Sequence, residues 1–232
     1  MTATLFDLPP AFTIPVNGET AAYPVARIFC VGRNYAAHAK EMGHEVDREN
    51  PFYFTKSPAH AIHTGATVPY PPGTTNYHFE MELAFAMGAP VFRATRAEAE
   101  AAVYAYGCAL DMTRRDRQQD GKDKGRPWDM GKDVEDSAVF SPMTRAADMA
   151  PLGPQRIHLE VNGATKQDAT LDELIHDVPE IIMDLSRYYH LRPGDVIMTG
   201  TPAGVGPVVA GDVITGGIDG LDPIALTLSA AE

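Results

Sequence analysis

Glu80 and Glu82, two residues apart in the run "TTNYHFEMELAFAMG" (Thr74 to Gly88), put two carboxylates on one side of an extended chain. Read with period two, Phe79, Met81, Leu83, Phe85 and Met87 form an apolar stripe, and His78, Glu80, Glu82, Ala84 and Ala86 fall on the other face. The side-chain bases of Glu80 and Glu82 are then about 7 Å apart, within reach of one cation. An isolated pair of this kind is ordinarily a solvated strand face. Here the face continues into alanines, without the lysines or threonines of a wet surface. Asp111 in "GCALDMTRRDRQQD" offers a third carboxylate at the end of an apolar run, a position where a helix cap is the ordinary role. A carboxylate pair with one more acid suits a hard divalent ion such as Mg²⁺, Mn²⁺ or Ca²⁺.

A second constellation lies in "CVGRNYAAHAKEMG". Gly32 turns the chain after a strand, Asn34 is a plausible N-cap, and on a helix His38 and Glu41 share a face at i and i+3. A histidine held by a carboxylate is an oriented general base whose charged form is favoured, so its pKa is expected to rise. The same pair also fits an incidental contact on a surface helix. The spacing is not HExxH, which removes the zincin reading. Lys56 in "FYFTKSP", Lys132 in "WDMGKDVEDSAVF", and Arg115 and Gln118 in "DMTRRDRQQ" add cations and an amide near apolar runs, although most lysines are simply solvated. The glycine-rich "TGTPAGVGPVVAGD" has neither the P-loop pattern nor a helix after it, so no nucleotide fingerprint is present. Its Thr199 and Thr201 could bind a carboxylate through hydroxyl and backbone N–H.

These residues must be positioned mainly by strands. Strand-like segments are "VARIFCVG", "PFYFTK", "EMELAFAMG", "RIHLEVNG", "DVIMTG" and "ALTLSA", punctuated by 20 glycines and 19 prolines. One helix is expected in "RATRAEAEAAVYAYGCALD", its alanine-rich body ending near Gly107. Another is expected in "TLDELIHDVPEIIMDLSRYYHL", opened by a Thr170–Glu173 capping box, with a helix over about Val178 to Tyr189 following or continuing it. The fold class read from this pattern is a β-rich α+β domain, with residues 1–24 a loosely structured arm and 25–232 a single domain.

The 232 residues suffice for a substantial core, and a net charge of −12 argues against nucleic acid and anionic membrane surfaces as partners. No apolar run approaches the ~18 residues of a membrane span. The opening "MTATLFDLPPAFTIPV" lacks the pattern of a signal peptide, and Cys30 and Cys108 read as buried thiols, so a reducing cytoplasm is the expected setting.

Each of these signals is weak alone, but their order is specific. "GRNYAAHAKEMG", "FTKS", "HFEMEL", "DMTRRDRQ", "WDMGKDVEDSAVFSP", "VNG…Q", "LRPGDVIMTGTPAGVG" and "GD" together resemble the fumarylacetoacetate hydrolase family over about residues 25 to 225. The chain looks most like the short acylpyruvate and fumarylpyruvate hydrolases of aromatic degradation. The resemblance implies a mixed β-roll and a homodimer. It makes Glu80, Glu82 and Asp111 the ligands of Mg²⁺ or Mn²⁺, and His38 and Glu41 a water-activating dyad on a segment that orders as a lid. Lys132 would sit near the metal-bound oxygens, while Lys56, Arg115, Gln118 and Thr201 would line the substrate pocket. Arg114, where a small residue often stands, is a departure from the family pattern. The implied reaction is hydrolysis of a C–C bond in a small 2,4-dioxo acid, with Arg33 or Arg114 a candidate for the distal carboxylate of a fumaryl chain. An oxaloacetate-type decarboxylase and a hydroxymuconate isomerase or decarboxylase stay open as readings. A non-catalytic metal- or ligand-binding protein, and a structural Ca²⁺ site, are the readings from other classes.

Overall fold

A computed structural model describes residues 5–7, 9–41 and 51–232. Its centre is a curled mixed sheet in which strands run Phe52–Lys56, Arg27–Gly32, Asp195–Met198, Met81–Met87, Val103–Asp111, Ala138–Phe140 and Ala61–His63, with Thr144–Arg145 paired to Val103–Asp111. Two of these neighbours are parallel, Asp195–Met198 with Arg27–Gly32 and Ala138–Phe140 with Ala61–His63. A second sheet of five strands orders Ala164–Thr170, Arg156–Val161, Val213–Ile218, Ile224–Ser229 and Ala66–Pro69. This is the β-rich architecture with few helices that the sequence pattern predicts.

Period-two alternation divides the central sheet between two cores. Met81, Leu83, Phe85 and Met87 pack with Phe29, Val31, Ile197, Cys108 and Leu110, and the second sheet closes this layer with Ile157, Leu159, Ile214 and Leu226. The opposite face carries Ala84, Ala86, Ala105 and Ala109 beside Ile28, Cys30, Val196 and Met198. Small residues there let the N-terminal segment lie close. Strands Thr13–Ile14 and Tyr23–Pro24 pair antiparallel, and Ile14, Val16 and Tyr23 are buried on that alanine face. The Tyr23 hydroxyl donates to Met87 O at 2.8 Å and accepts from Gly194 N at 2.6 Å. The described part of the expected loose arm is therefore a hairpin locked onto the sheet. Its anchoring side chains are apolar and leave water, which provides the driving force for the locking.

Three local expectations change. The alanine-rich helix stops at Ala102, capped by a Thr95–Glu98 box, and Val103–Asp111 is a strand. Pairing with Met81–Met87 along its length outweighs the helix propensity of the alanines. The Thr170–Glu173 box caps only a 3₁₀ turn, Leu171–Glu173, and the following helix is Val178–Leu185 with its own Asp177–Glu180 box. It does not extend to Tyr189, because Arg187 to His190 are exposed and bury nothing that would carry another turn. Asn34 does not cap the helix Ala36–Glu41. Its side chain reaches across to Thr199 O (2.9 Å), His176 O (2.9 Å) and His176 N (2.8 Å), tying that segment to the glycine-rich loop.

Candidate metal centre and active site

Glu80 interrupts the long strand anticipated for "HFEMELAFAMG". Tyr77–Phe79 belongs to a small three-stranded sheet with Thr113–Arg114 and Gly206–Val208, and Met81–Met87 belongs to the central sheet. The antiparallel register sets Met81 against Leu110 and Glu82 against Ala109, so Glu80 and Asp111 lie opposite each other at the sheet's end, with Asp111 N donating to Glu80 O at 2.9 Å. Residues 31 apart in sequence thus share one corner. Glu80, Glu82 and Asp111 are all buried, and each offers one oxygen such that the three lie within 4.8 Å of one another. Oxygens bound to one ion at about 2.0–2.6 Å are spaced in this way. Asp111 Oδ1 is fully buried and accepts no hydrogen bond, although Lys56 Nζ lies 2.9 Å away without the alignment to donate. An unsatisfied carboxylate oxygen among two more carboxylates fits a hard divalent cation.

Cations hold this acidic corner together. Lys132 Nζ donates to Glu80 Oε2 at 2.7 Å, Asp111 Oδ2 at 2.6 Å and Thr113 Oγ1 at 2.9 Å. Arg115 donates to Glu80 Oε1 at 2.6 Å and to Gln118 Oε1 at 2.7 Å. Burial alone would raise the Glu80 carboxyl, but Lys132 and Arg115 hold it well below the usual carboxylate range. Glu82 goes the other way. Burial pushes its carboxyl up, Asp111 and Glu80 repel its charge, and its direct partner is the Gly200 N–H at 2.7 Å. Burial lowers the Lys132 ammonium, and Asp111 and Glu80 more than restore it, so its pKa is raised.

His38 and Glu41 do meet, Nδ1 to Oε2 at 3.3 Å. A carboxylate only accepts, so Nδ1 carries the proton and Nε2 is left as an acceptor. Glu41 is itself anchored by the Gly204 N–H, 3.1 Å from each of its oxygens. Gly204 has φ +97, and a Cβ there would stand 2.0 Å from Lys166 O, so only glycine brings this N–H to Glu41. The expected upward shift of His38 is reversed: burial lowers its pKa, and the carboxylates of Glu80 and Glu41 do not fully compensate. A neutral imidazole results. The lid expectation concerns the segment that carries His38 and Glu41; the chain that follows it, residues 42–50, lies outside the described residues.

His38, Glu80, Glu82 and Lys132 open onto one recess, and Arg33, Arg115, Gln118 and Thr201 complete its predicted wall. Lys56 is not on that wall. It is buried behind it, donating to Met112 O (3.1 Å), Ser137 Oγ (2.7 Å) and Lys132 O, where it braces the end of the short helix Asp129–Lys132. Thr199 is spent on Leu83 O at 3.0 Å, and Arg114 reaches Met130 O at 3.5 Å away from the recess. His78 bonds Asn76 Oδ1 at 2.8 Å and does not touch Glu80; burial and Arg115 lower its pKa to about 4.

Two residues had no role assigned from the sequence, Gln167, which ends the "VNG…Q" motif, and Lys122. Gln167 is fully buried; its Oε1 accepts from Met81 N (3.0 Å), and its Nε2 donates to Pro202 O (2.8 Å) and Thr201 Oγ1 (2.8 Å). The backbone N–H and C=O fix which end of the amide is which, so Thr201 must accept and its own proton is free to turn toward the recess. Lys122 also lines the recess. On the helix Arg115–Asp123, residues 115, 118 and 122 stand at i, i+3 and i+7, a one-face spacing that would have exposed Lys122 had the helix start been recognised.

Residues 27–229 match the family model described as fumarylacetoacetate (FAA) hydrolase C-terminal. A fumarylpyruvate hydrolase from Ralstonia sp is 53% identical over 193 residues, covering 82% of this chain and 100% of that protein. The Escherichia coli (strain K12) oxaloacetate tautomerase YcgM is 38% identical over 206 residues, covering 88% and 93%. A crystal structure of fumarylpyruvate hydrolase from Pseudomonas aeruginosa in complex with Mn²⁺ and pyruvate superposes with a TM-score of 0.94 at 40% identity, covering 98% of this chain and all of that one.

Proposed function

The chain belongs to the fumarylacetoacetate hydrolase family, and from that premise we propose that it hydrolyses the C–C bond of an acylpyruvate, converting fumarylpyruvate and water to fumarate and pyruvate. The observation that carries the reading is one recess bordered by both a buried neutral imidazole, whose Nε2 has no hydrogen-bond partner among the described residues, and the Glu80–Glu82 carboxylates. The Ralstonia relative at 53% identity and the Mn²⁺–pyruvate complex of the Pseudomonas neighbour support it.

Glu80, Glu82 and Asp111 would hold a divalent cation, Mg²⁺ or Mn²⁺. When bound, it supplies Lewis-acid polarisation to oxygens of the oxo-acid end of the substrate. Arg115, Gln118 and Thr201 bind and orient that end through N–H and O–H donors. His38 Nε2 takes a proton from water, Glu41 holding the ring by Nδ1–H, and the hydroxide adds to the 4-oxo carbon. The C3–C4 bond then breaks, its electron pair leaves with the pyruvate half as an enolate, and the Lys132 ammonium faces the developing charge. Proton return to C3 completes pyruvate. Positioned acid–base help of this kind contributes about 10²–10⁴-fold. A homodimer in a reducing cytoplasm goes with this reading, supported by the family resemblance and by Cys30 and Cys108 as free, buried thiols.

The test follows the near-UV absorbance of fumarylpyruvate, acetylpyruvate and oxaloacetate with enzyme, in Mg²⁺ or Mn²⁺ and in EDTA. Metal-dependent hydrolysis of fumarylpyruvate is expected. Turnover of oxaloacetate alone, by loss of its enol or of CO₂, would move the assignment to a tautomerase or decarboxylase.

A further inference from the structure

The recess has a second end that the proposed chemistry does not use. Lys132 Nζ lies 4.8 Å over the Phe54 ring, and the Phe54 centroid is 6.1 Å from that of Trp128. Beyond Phe54 the wall is therefore aromatic. Phe52 meets Trp128 edge to face, with centroids 5.3 Å apart at 89°. Two cations sit on these rings. The Arg33 guanidinium is 5.3 Å over Phe52 and 6.0 Å over Trp128, and Lys122 Nζ is 5.1 Å over Trp128.

Both cations are half-buried, and among the described residues neither side chain has a carboxylate partner or a hydrogen bond. Positive charges withdrawn from water toward one another are costly unless an anion joins them. Burial, with Arg115, Arg33 and Lys132 nearby, lowers the Lys122 ammonium to about 8. The ring faces recover part of that cost but supply no counter-charge. The chain is also built to hold Arg33 there. Arg33 adopts φ 58, a left-handed conformation unusual for a side chain of its size. The preceding Gly32 has no Cβ, which would otherwise stand 2.0 Å from Phe52 Cζ. Lys122 shares its helix face with Arg115 and Gln118, so one rigid element spans both ends of the recess.

We propose that Arg33 and Lys122, on the Phe52–Trp128 platform, form a subsite for a carboxylate at the far end of the acyl chain, and that this subsite selects carboxylate-terminated acylpyruvates over neutral ones. The apolar ring surfaces of Phe54, Phe52 and Trp128 between the two ends suit an unsaturated carbon spacer, which packs on ring faces and edges. The inference rests on the proposed hydrolase reading and adds to it the determinant of acyl-group choice.

The test compares kcat/KM for fumarylpyruvate and acetylpyruvate in wild type, Arg33→Met, Lys122→Met and Lys122→Arg. Met keeps the aliphatic body over the rings and removes the charge. The fumarylpyruvate-to-acetylpyruvate ratio should fall about tenfold or more in each Met variant, mainly through KM, and should recover in Lys122→Arg. A parallel fall on both substrates, or no change in the ratio, overturns the subsite. A readout independent of turnover uses Trp128, the protein's one tryptophan. Its fluorescence, titrated in the presence of Mn²⁺, should report fumarate binding that is about tenfold tighter than crotonate binding and is lost in Lys122→Met. If wild type hydrolyses no acylpyruvate yet discriminates fumarate from crotonate, the reaction assignment fails and the subsite stands. Equal response to both anions overturns the subsite whatever the activity.

Discussion

Glu82→Gln separates the cost of the acidic corner from its purpose. Glu82 is buried with one oxygen of each acid within 4.8 Å of the others, and its direct partner is a backbone N–H, while Lys132 bonds the other two carboxylates. At that separation and an effective dielectric of 20, two unit charges repel by about 3.5 kcal/mol. Protonation of Glu82 or the pull of Lys132 relieves part of this, leaving a net cost on the order of 1–3 kcal/mol at neutral pH. Glutamine keeps the shape and can still accept from the Gly200 N–H, so the repulsion is removed without a cavity. The metal-free variant should melt higher than wild type, by roughly 2–4 °C per kcal/mol for a chain of this size. The sign of the pH dependence is set by a folded-state pKa above the unfolded one. Glu82 costs nothing below its ordinary value of 4.5, and the cost grows as pH rises through the folded-state value. The Gln advantage should therefore shrink as pH falls toward 4.5. With Mn²⁺ at about 100 times its Kd, wild type should gain about 2.7 kcal/mol, enough to offset most or all of that cost, while the variant should gain little. Thermal melts with and without Mn²⁺, at several pH values, measure both effects. A variant that keeps the full Mn²⁺ shift refutes the ligand role, and one destabilised without metal refutes the electrostatic reasoning.

His38→Ala should keep the Mn²⁺-induced rise in Tm and lose about 10²–10⁴-fold in kcat; the wild-type rate at saturating Mn²⁺ should fall on the acid side with a midpoint below the ordinary 6.5, because burial lowers the imidazole pKa. Lys132→Met removes the ammonium shared by two buried carboxylates, leaving Arg115 to Glu80 and Lys56 to Asp111, and should cost about 3 kcal/mol in metal-free stability, partly recovered by Mn²⁺, as read from denaturant melts in EDTA and in metal. Gln167→Glu preserves the acceptor for Met81 N–H but puts an oxygen opposite Thr201, whose proton must then turn away from the recess; KM should rise more than kcat falls, and an unchanged KM would dismiss the orienting role.

The chain by itself determined which chemistry was available. The period-two stripe of Phe79 to Met87, the Glu80–Glu82 pair continuing into alanines, the i, i+3 spacing of His38 and Glu41, and the order of the motifs were all legible, because local periodicity and residue type are properties of neighbouring positions. Tertiary structure alone decided how those parts meet. Asp111 becomes Glu80's neighbour through the register of two antiparallel strands, and no spacing along the chain reports register. His78 leaves the acidic face because the strand breaks at Glu80. Lys56 becomes a brace behind the recess, and Gln167 orients Thr201 from a different sheet. The charge state of His38 was misread for a related reason. A pKa sums burial against every nearby charge, and sequence shows only the nearest partner.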